Sequence, residues 1–116
     1  MFLNISNHHS QYWSDEQRSA AESMGGTIVD MPFPNVPPDA EHLWVHSMAE
    51  EMLIDILERS PSVVHVMGEH TLNVALVIKL KSMGVKTVAS TTERDVVVAH
   101  DGTKISRFRF VRFREY

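Results

Sequence analysis

A chain of 116 residues, 43% hydrophobic and 22% charged, has the size and balance of one globular domain and is too small for two. Zero cysteines exclude disulfides, thiol catalysis and cysteine-ligated zinc. A net charge of −4 argues against binding to long nucleic acid, which needs a broad basic face, but leaves room for a small phosphorylated ligand. No apolar run approaches the roughly 20 residues that span a bilayer, and the N-terminus lacks a basic region followed by a hydrophobic one. A cytoplasmic protein with no membrane partner is the expectation.

Phe2 to Ser6 reads as a short first strand that runs into the polar turn Asn7-His8-His9-Ser10. Ser14 with Gln17 three residues on forms a capping box, and Asp15 and Glu16 suit the positive end of a helix dipole. That helix is expected to run to about Met24 and to stop at Gly25-Gly26. Thr27 to Met31 is a second strand. Its exit, residues 32–38, holds four prolines, which remove donors and fix φ, so an extended loop across the sheet edge is expected. A long helix then opens at Asp39 or Ala40 and closes at Glu58 or Arg59, with Val45, Met48, Ala49, Met52, Leu53, Ile56 and Leu57 as its buried stripe.

Residues 63–94 carry the centre of the fold. Val63 to Met67 suits a buried strand, Gly68 breaks it, and Thr71 is the expected N-cap of a helix from Leu72 to Met83, with Gly84 at its C-terminal end. Val85 to Ala89 is the next strand, interrupted by the polar cluster Ser90-Thr91-Thr92-Glu93-Arg94. Two buried strands joined by a helix are parallel, with a right-handed crossover. Gly68-Glu69-His70-Thr71 and the 90–94 cluster are then expected at the same carboxyl edge, where open α/β sheets bind ligands. Asp95 to Ala99 and Lys104 to Tyr116 flank an Asp101-Gly102 turn and form a hairpin. The order β-α-β-α-β-α-β-β-β defines an α/β fold, a Rossmann-like, mainly parallel sheet flanked by helices with a C-terminal antiparallel hairpin.

Chemistry-bearing residues gather at that edge. The Asn7-His8-His9-Ser10 turn stands where Rossmann-like folds meet phosphates, but no glycine fingerprint accompanies it, so no dinucleotide cofactor is expected. Imidazoles there either move protons or simply populate a surface loop. Trp13 is a stacking platform for a base or, the commoner role at a helix start, a packing staple. Glu69 holds a ribose or acts as a base, while Thr91, Thr92 and Arg94 suit an anion. His65 alternates within an apolar strand, which fits a core histidine whose polar atoms are bonded. His42 and His46 stand four apart on a helix, yet Leu43 occupies the position where a metalloprotease helix needs Glu. No metal is expected. The Arg107, Arg109, Arg112 and Arg114 series alternates with apolar residues, giving a solvated basic face, a subunit contact or a rim that attracts anions.

Asn7-His8-His9-Ser10 with Trp13-Ser14, the Pro32-Phe33-Pro34 loop, Val66-Met67-Gly68-Glu69 and Ala89 to Arg94 together resemble a group of small prokaryotic CRISPR-associated proteins. These are similar to the nucleotide-sensing CARF domain, and some are ring nucleases that degrade cyclic oligoadenylate messengers. The resemblance spans nearly the whole chain. It implies a homodimer holding a cyclic oligoadenylate across its two-fold axis, with cyclic tetra-adenylate the expected ring and no metal needed. Cleavage by the substrate's own 2′-hydroxyl would take His8 or His9 for acid-base work, with Glu69 as a ribose ligand or base. Arg94 would cover charge, and Asn7, Ser10, Trp13, Gly68, His70, Thr91 and Thr92 would line the ligand. Two other readings stand beside this enzyme: a non-catalytic sponge or sensor of the same fold, and an unrelated subunit that assembles through its Arg/Phe tail.

Overall fold

The computed structural model describes every residue from Met1 to Tyr116. Five strands form one sheet: β1 (Phe2–Ser6), β2 (Ile28–Asp30), β3 (Val63–Met67), β4 (Thr87–Val98) and β5 (Lys104–Glu115). Their spatial order is β2-β1-β3-β4-β5. All neighbours are parallel except β4 and β5, which form an antiparallel hairpin. Three helices connect the parallel strands: α1 (Asp15–Gly25), α2 (His42–Arg59) and α3 (His70–Ser82). The expected mainly parallel α/β sheet with a C-terminal hairpin is what forms.

Alternation along the strands builds two cores, one on each face of the sheet. Leu3, Ile5, Val64 and Val66 pack with Val45, Ala49, Met52 and Ile56 of α2 and Leu72, Leu76 and Leu80 of α3. Phe2, Val63, Val88 and Phe113 point the other way, onto Trp13 and Ala21. An isolated helix of 13 residues is marginal in water, so the buried stripe of α3 holds it, each buried Leu being worth about 1.5–3 kcal/mol. Its end is a Schellman motif. Val85 N–H donates to Leu80 C=O and Gly84 N–H to Lys81 C=O, with Gly84 at φ +75°, where a side chain would strain.

Three local expectations are corrected. Helix α2 begins at His42 rather than at Asp39 or Ala40, because residues 37–40 form a turn closed by Ala40 N–H to Pro37 C=O. The N-cap of α3 is Glu69, not Thr71: its carboxylate accepts from the Thr71 and Leu72 amides at 3.1 and 2.8 Å. The two short strands expected at 85–89 and 95–99 are one 12-residue strand, β4. Ser90 to Arg94 does not break it, since those residues pair with Phe113 to Phe108 and their backbone groups join the ladder. Their polarity reflects a hairpin arm washed by water, not a turn.

The tail is phased by a bulge. Thr91 pairs with Arg112 but Thr92 with Phe110, leaving Val111 as the extra residue. Phe110 and Phe113, three apart, would face opposite ways on a regular strand; instead their rings meet at 4.9 Å.

The proline-rich exit of β2 crosses the carboxyl edge over β1 and reaches β3. The Phe33 ring lies so close to Gly68 that an added Cβ would stand 2.3 Å from it. Gly68→Ala is therefore expected to lower stability by about 1–3 kcal/mol, the usual cost of overpacking. Urea unfolding at an unchanged m-value checks this; an unaltered midpoint would mean that the loop simply lifts.

Candidate functional site

The carboxyl end of β1 is held by a polar frame built around Asp30, the last residue of β2. Asp30 Oδ1 accepts from Asn4 Nδ2 (2.8 Å) and the Ser10 amide (2.9 Å), and Oδ2 from Ser10 Oγ (2.6 Å). Burial alone would raise this carboxyl, but the bonds from Ser10 and Asn4, with His9 nearby, hold it below the ordinary range. The frame continues inward. Asn4 Nδ2 also donates to His8 C=O, and Asn4 Oδ1 accepts from Ser6 Oγ (2.9 Å) and from His65 Nδ1 (2.8 Å). Since both Asn4 Nδ2 protons are spent on acceptors, its oxygen faces His65, whose Nδ1 carries the proton. The bare Nε2 of His65 is then buried with no partner, among Phe2, Trp13 and Phe113. Desolvation, aided by His8, pushes His65 down to about 4. His65 is a core histidine, but only half satisfied.

This frame shapes the histidine turn and splits its two imidazoles. His9 Nδ1 accepts from the Gln11 amide (3.1 Å), which starts a short 3-10 turn at Ser10–Tyr12, and its Nε2 stands 3.4 Å from Asp30 Oδ2. Both nitrogens of His9 are thereby engaged. With Asn4, Ser6, Asn7, Asp30, Pro32 and Phe33 it lines a cleft of about 360 Å³ beneath the proline loop. An ionised Asp30 at the wall of this cleft disfavours a phosphate there. His8 points elsewhere: it is exposed, its ring nitrogens meet no protein partner, and its ring lies parallel to Tyr12. It opens onto a second groove, about 540 Å³, whose far wall is the β5 segment Arg107–Phe110. Arg107 has no carboxylate within 4 Å, Arg109 pairs with Glu93, and Glu16 and Asp95 also reach the rim.

The remaining sequence-predicted residues are dispersed. Ser10 is buried as a frame member and Trp13 as a packed side chain whose Nε1 donates to His8 C=O at 3.2 Å, so Trp13 offers the groove only an edge. Gly68 sits under Phe33. Glu69 is occupied by Thr71 Oγ1 and by the α3 amides, which lower its carboxyl below the ordinary range, Thr71 contributing most. Its stabilising cap is present above the ordinary carboxylate range and lost as pH falls through the lowered value. Glu69→Ala is expected to lower the melting temperature at pH 7, with the difference shrinking at acid pH in the same thermal scan. His70 opens into another pocket, between α2 and α3, with His42 and His46. No group of three or more His, Asp or Glu is arranged to hold a metal ion. Thr91 and Thr92 lie in the hairpin ladder, and Arg94 donates to Ser106 Oγ across it.

Asp30 and Tyr12 escape the site reading of the sequence, and Arg107 and Arg109 enter it only as members of a basic strand that could form a rim attracting anions. Only Asp30 left a usable signal, an acid at the carboxyl end of a strand. Arg107 was visible as part of a basic strand, but its approach to His8 depends on how far β5 reaches past the body.

A Rossmann-like sheet with a hydrogen-bonded polar frame at its carboxyl edge defines the class, a small α/β protein. A family model described as the uncharacterized protein MJ1673 family matches residues 1–114, and the chain belongs to that family. No curated protein and no solved structure matches the chain.

Proposed function

We propose that the protein is a metal-independent ring nuclease. It binds a cyclic oligoadenylate, cyclic tetra-adenylate before larger rings, as a homodimer and cleaves it, so ending a type III CRISPR signal. The single observation that carries this reading is His8: an exposed imidazole with no protein partner, facing a groove walled by Arg107 and Arg109. In the reaction a ribose 2′-oxygen bonds to the adjacent phosphorus and the bond to the 5′-oxygen breaks. His8 takes the 2′-hydroxyl proton, and the leaving 5′-oxygen gains one from water. Arg107 and Arg109 cover the phosphate in place of Arg94, and Tyr12 offers a face to adenine. Replacing Arg107 by alanine is expected to weaken ring binding roughly ten- to a hundredfold by calorimetry, and Arg94→Ala to change it less.

A binding-only sponge or sensor is the second reading. It draws support from the engagement of His9 and Glu69 inside the structure, which leaves His8 as the free titratable group of the turn. Incubation with cyclic tetra- and hexa-adenylate in EDTA, followed by chromatography, separates the two. Linear products establish the nuclease; tight binding without products establishes the sponge; neither result leaves the edge reading without support.

A further inference from the structure

The hairpin formed by β4 and β5 is far longer than the body needs. A compact chain of this length has a radius of gyration of about 13 Å; this one has 16.0 Å, with a longest extent of 52 Å. The arm has water on both faces, although an isolated two-stranded hairpin is marginal by itself. By register, Val96, Val98 and Phe108 share a face with Arg94 and Lys104. Phe108 is 70% exposed and Val98 62%. An apolar strip of this kind on an unsupported ribbon points to something that covers it.

Charge identifies the cover. Residues 87–116 hold six Lys/Arg against four carboxylates, while residues 1–86 hold eleven carboxylates against five Lys/Arg. The arm is thus basic and the body acidic. On the body, the outer stripe of α2 combines exposed Leu43 and Ile54 with Glu51 and Glu58, the same mix of apolar contact and opposite charge. Edge-to-edge pairing of two β5 strands is disfavoured, because it would set Arg against Arg. We infer that the arm of one protomer lies across the α2 stripe of a second copy, reciprocally, closing a two-fold dimer. The inference deepens the homodimer named above and rests on that stoichiometry, but not on cleavage.

Sedimentation velocity on the ligand-free full chain tests it apart from any activity. The expected species is a dimer of the 13.2 kDa chain that does not grow further with concentration. Phe108→Asp is expected to raise the dimer dissociation constant roughly 30-fold or more, as loss of an anchor residue does. Glu51→Lys with Glu58→Lys should weaken it as well, and adding Arg94→Glu with Lys104→Glu should restore it. Circular dichroism confirms that each variant keeps its fold. A monomer at 100 µM, open-ended growth, indifference to Phe108→Asp, or failure of the charge swap to rescue would each overturn the arrangement. Loss of cleavage with the dimer intact would instead count against the proposed function alone.

Discussion

Replacing His8 by alanine should slow cleavage of cyclic tetra-adenylate roughly 10²–10⁴-fold while leaving ring binding nearly unchanged, the usual effect of removing one general base. The argument is geometric. His9 already accepts a backbone N–H on one nitrogen and faces Asp30 with the other, so using it as a base means dismantling the 3-10 turn. Glu69 is likewise spent on the first turn of α3. Single-turnover rates for His8→Ala, His9→Ala and Glu69→Gln, each beside a binding isotherm, apportion the roles. His9→Ala is expected to lose rate only as far as it loosens the turn, and to lose stability with it. If His8→Ala keeps full rate while Glu69→Gln loses it, the base is Glu69 and the groove beside Arg107 is not where the chemistry occurs.

Acid should unfold this protein earlier than its carboxylates alone would. His65 is held neutral in the native state with a value of about 4, whereas an unfolded histidine titrates near 6.5. Between those two values the unfolded chain binds a proton that the native chain refuses. Stability is therefore full above about pH 6.5, falls with decreasing pH, and levels off near pH 4 after losing on the order of 3 kcal/mol. Asp30, lowered by its bonds from Ser10 and Asn4, continues the loss below its ordinary carboxylate range. Urea midpoints at pH 7, 5.5 and 4 measure the slope, and the imidazole carbon shift of His65 follows the residue directly. A flat stability profile, or a His65 resonance that titrates near 6.5, would show that water reaches Nε2.

The strands, helices and hairpin were legible because each leaves a local mark. Ser14 and Gln17 announce α1, the Val63–Met67 run announces a buried strand, and Gly84 closes α3. The site was legible only in part, since its parts are joined by pairings that no local pattern records. The bond between Asn4 and His65 bridges 61 positions. A histidine inside a strand reads as a core residue, yet nothing near it says which atom will be orphaned. The 90–94 cluster failed for a different reason. Polarity marks exposure, and exposure suits a turn, whereas an arm with water on both sides is as polar as a loop while remaining a strand. Ser90 to Arg94 are thus strand residues that run past the carboxyl edge, paired with the β5 segment that walls the groove.

Val111 gives the tail a steering joint. Read without it, residues 107–114 alternate Arg with Phe in unbroken step, so deleting it would keep every Phe on one side and every guanidinium on the other. The inserted residue therefore adds nothing to the chemistry of either side. What it changes is heading: a bulge bends its strand and tightens the local right-handed twist, so the outer part of the ribbon, past Thr91, takes a different direction from its root. One amino acid thus acts as a setting for where the arm points, independent of what the arm carries. Shortening the chain there would yield a protein with the same surface residues aimed in another direction.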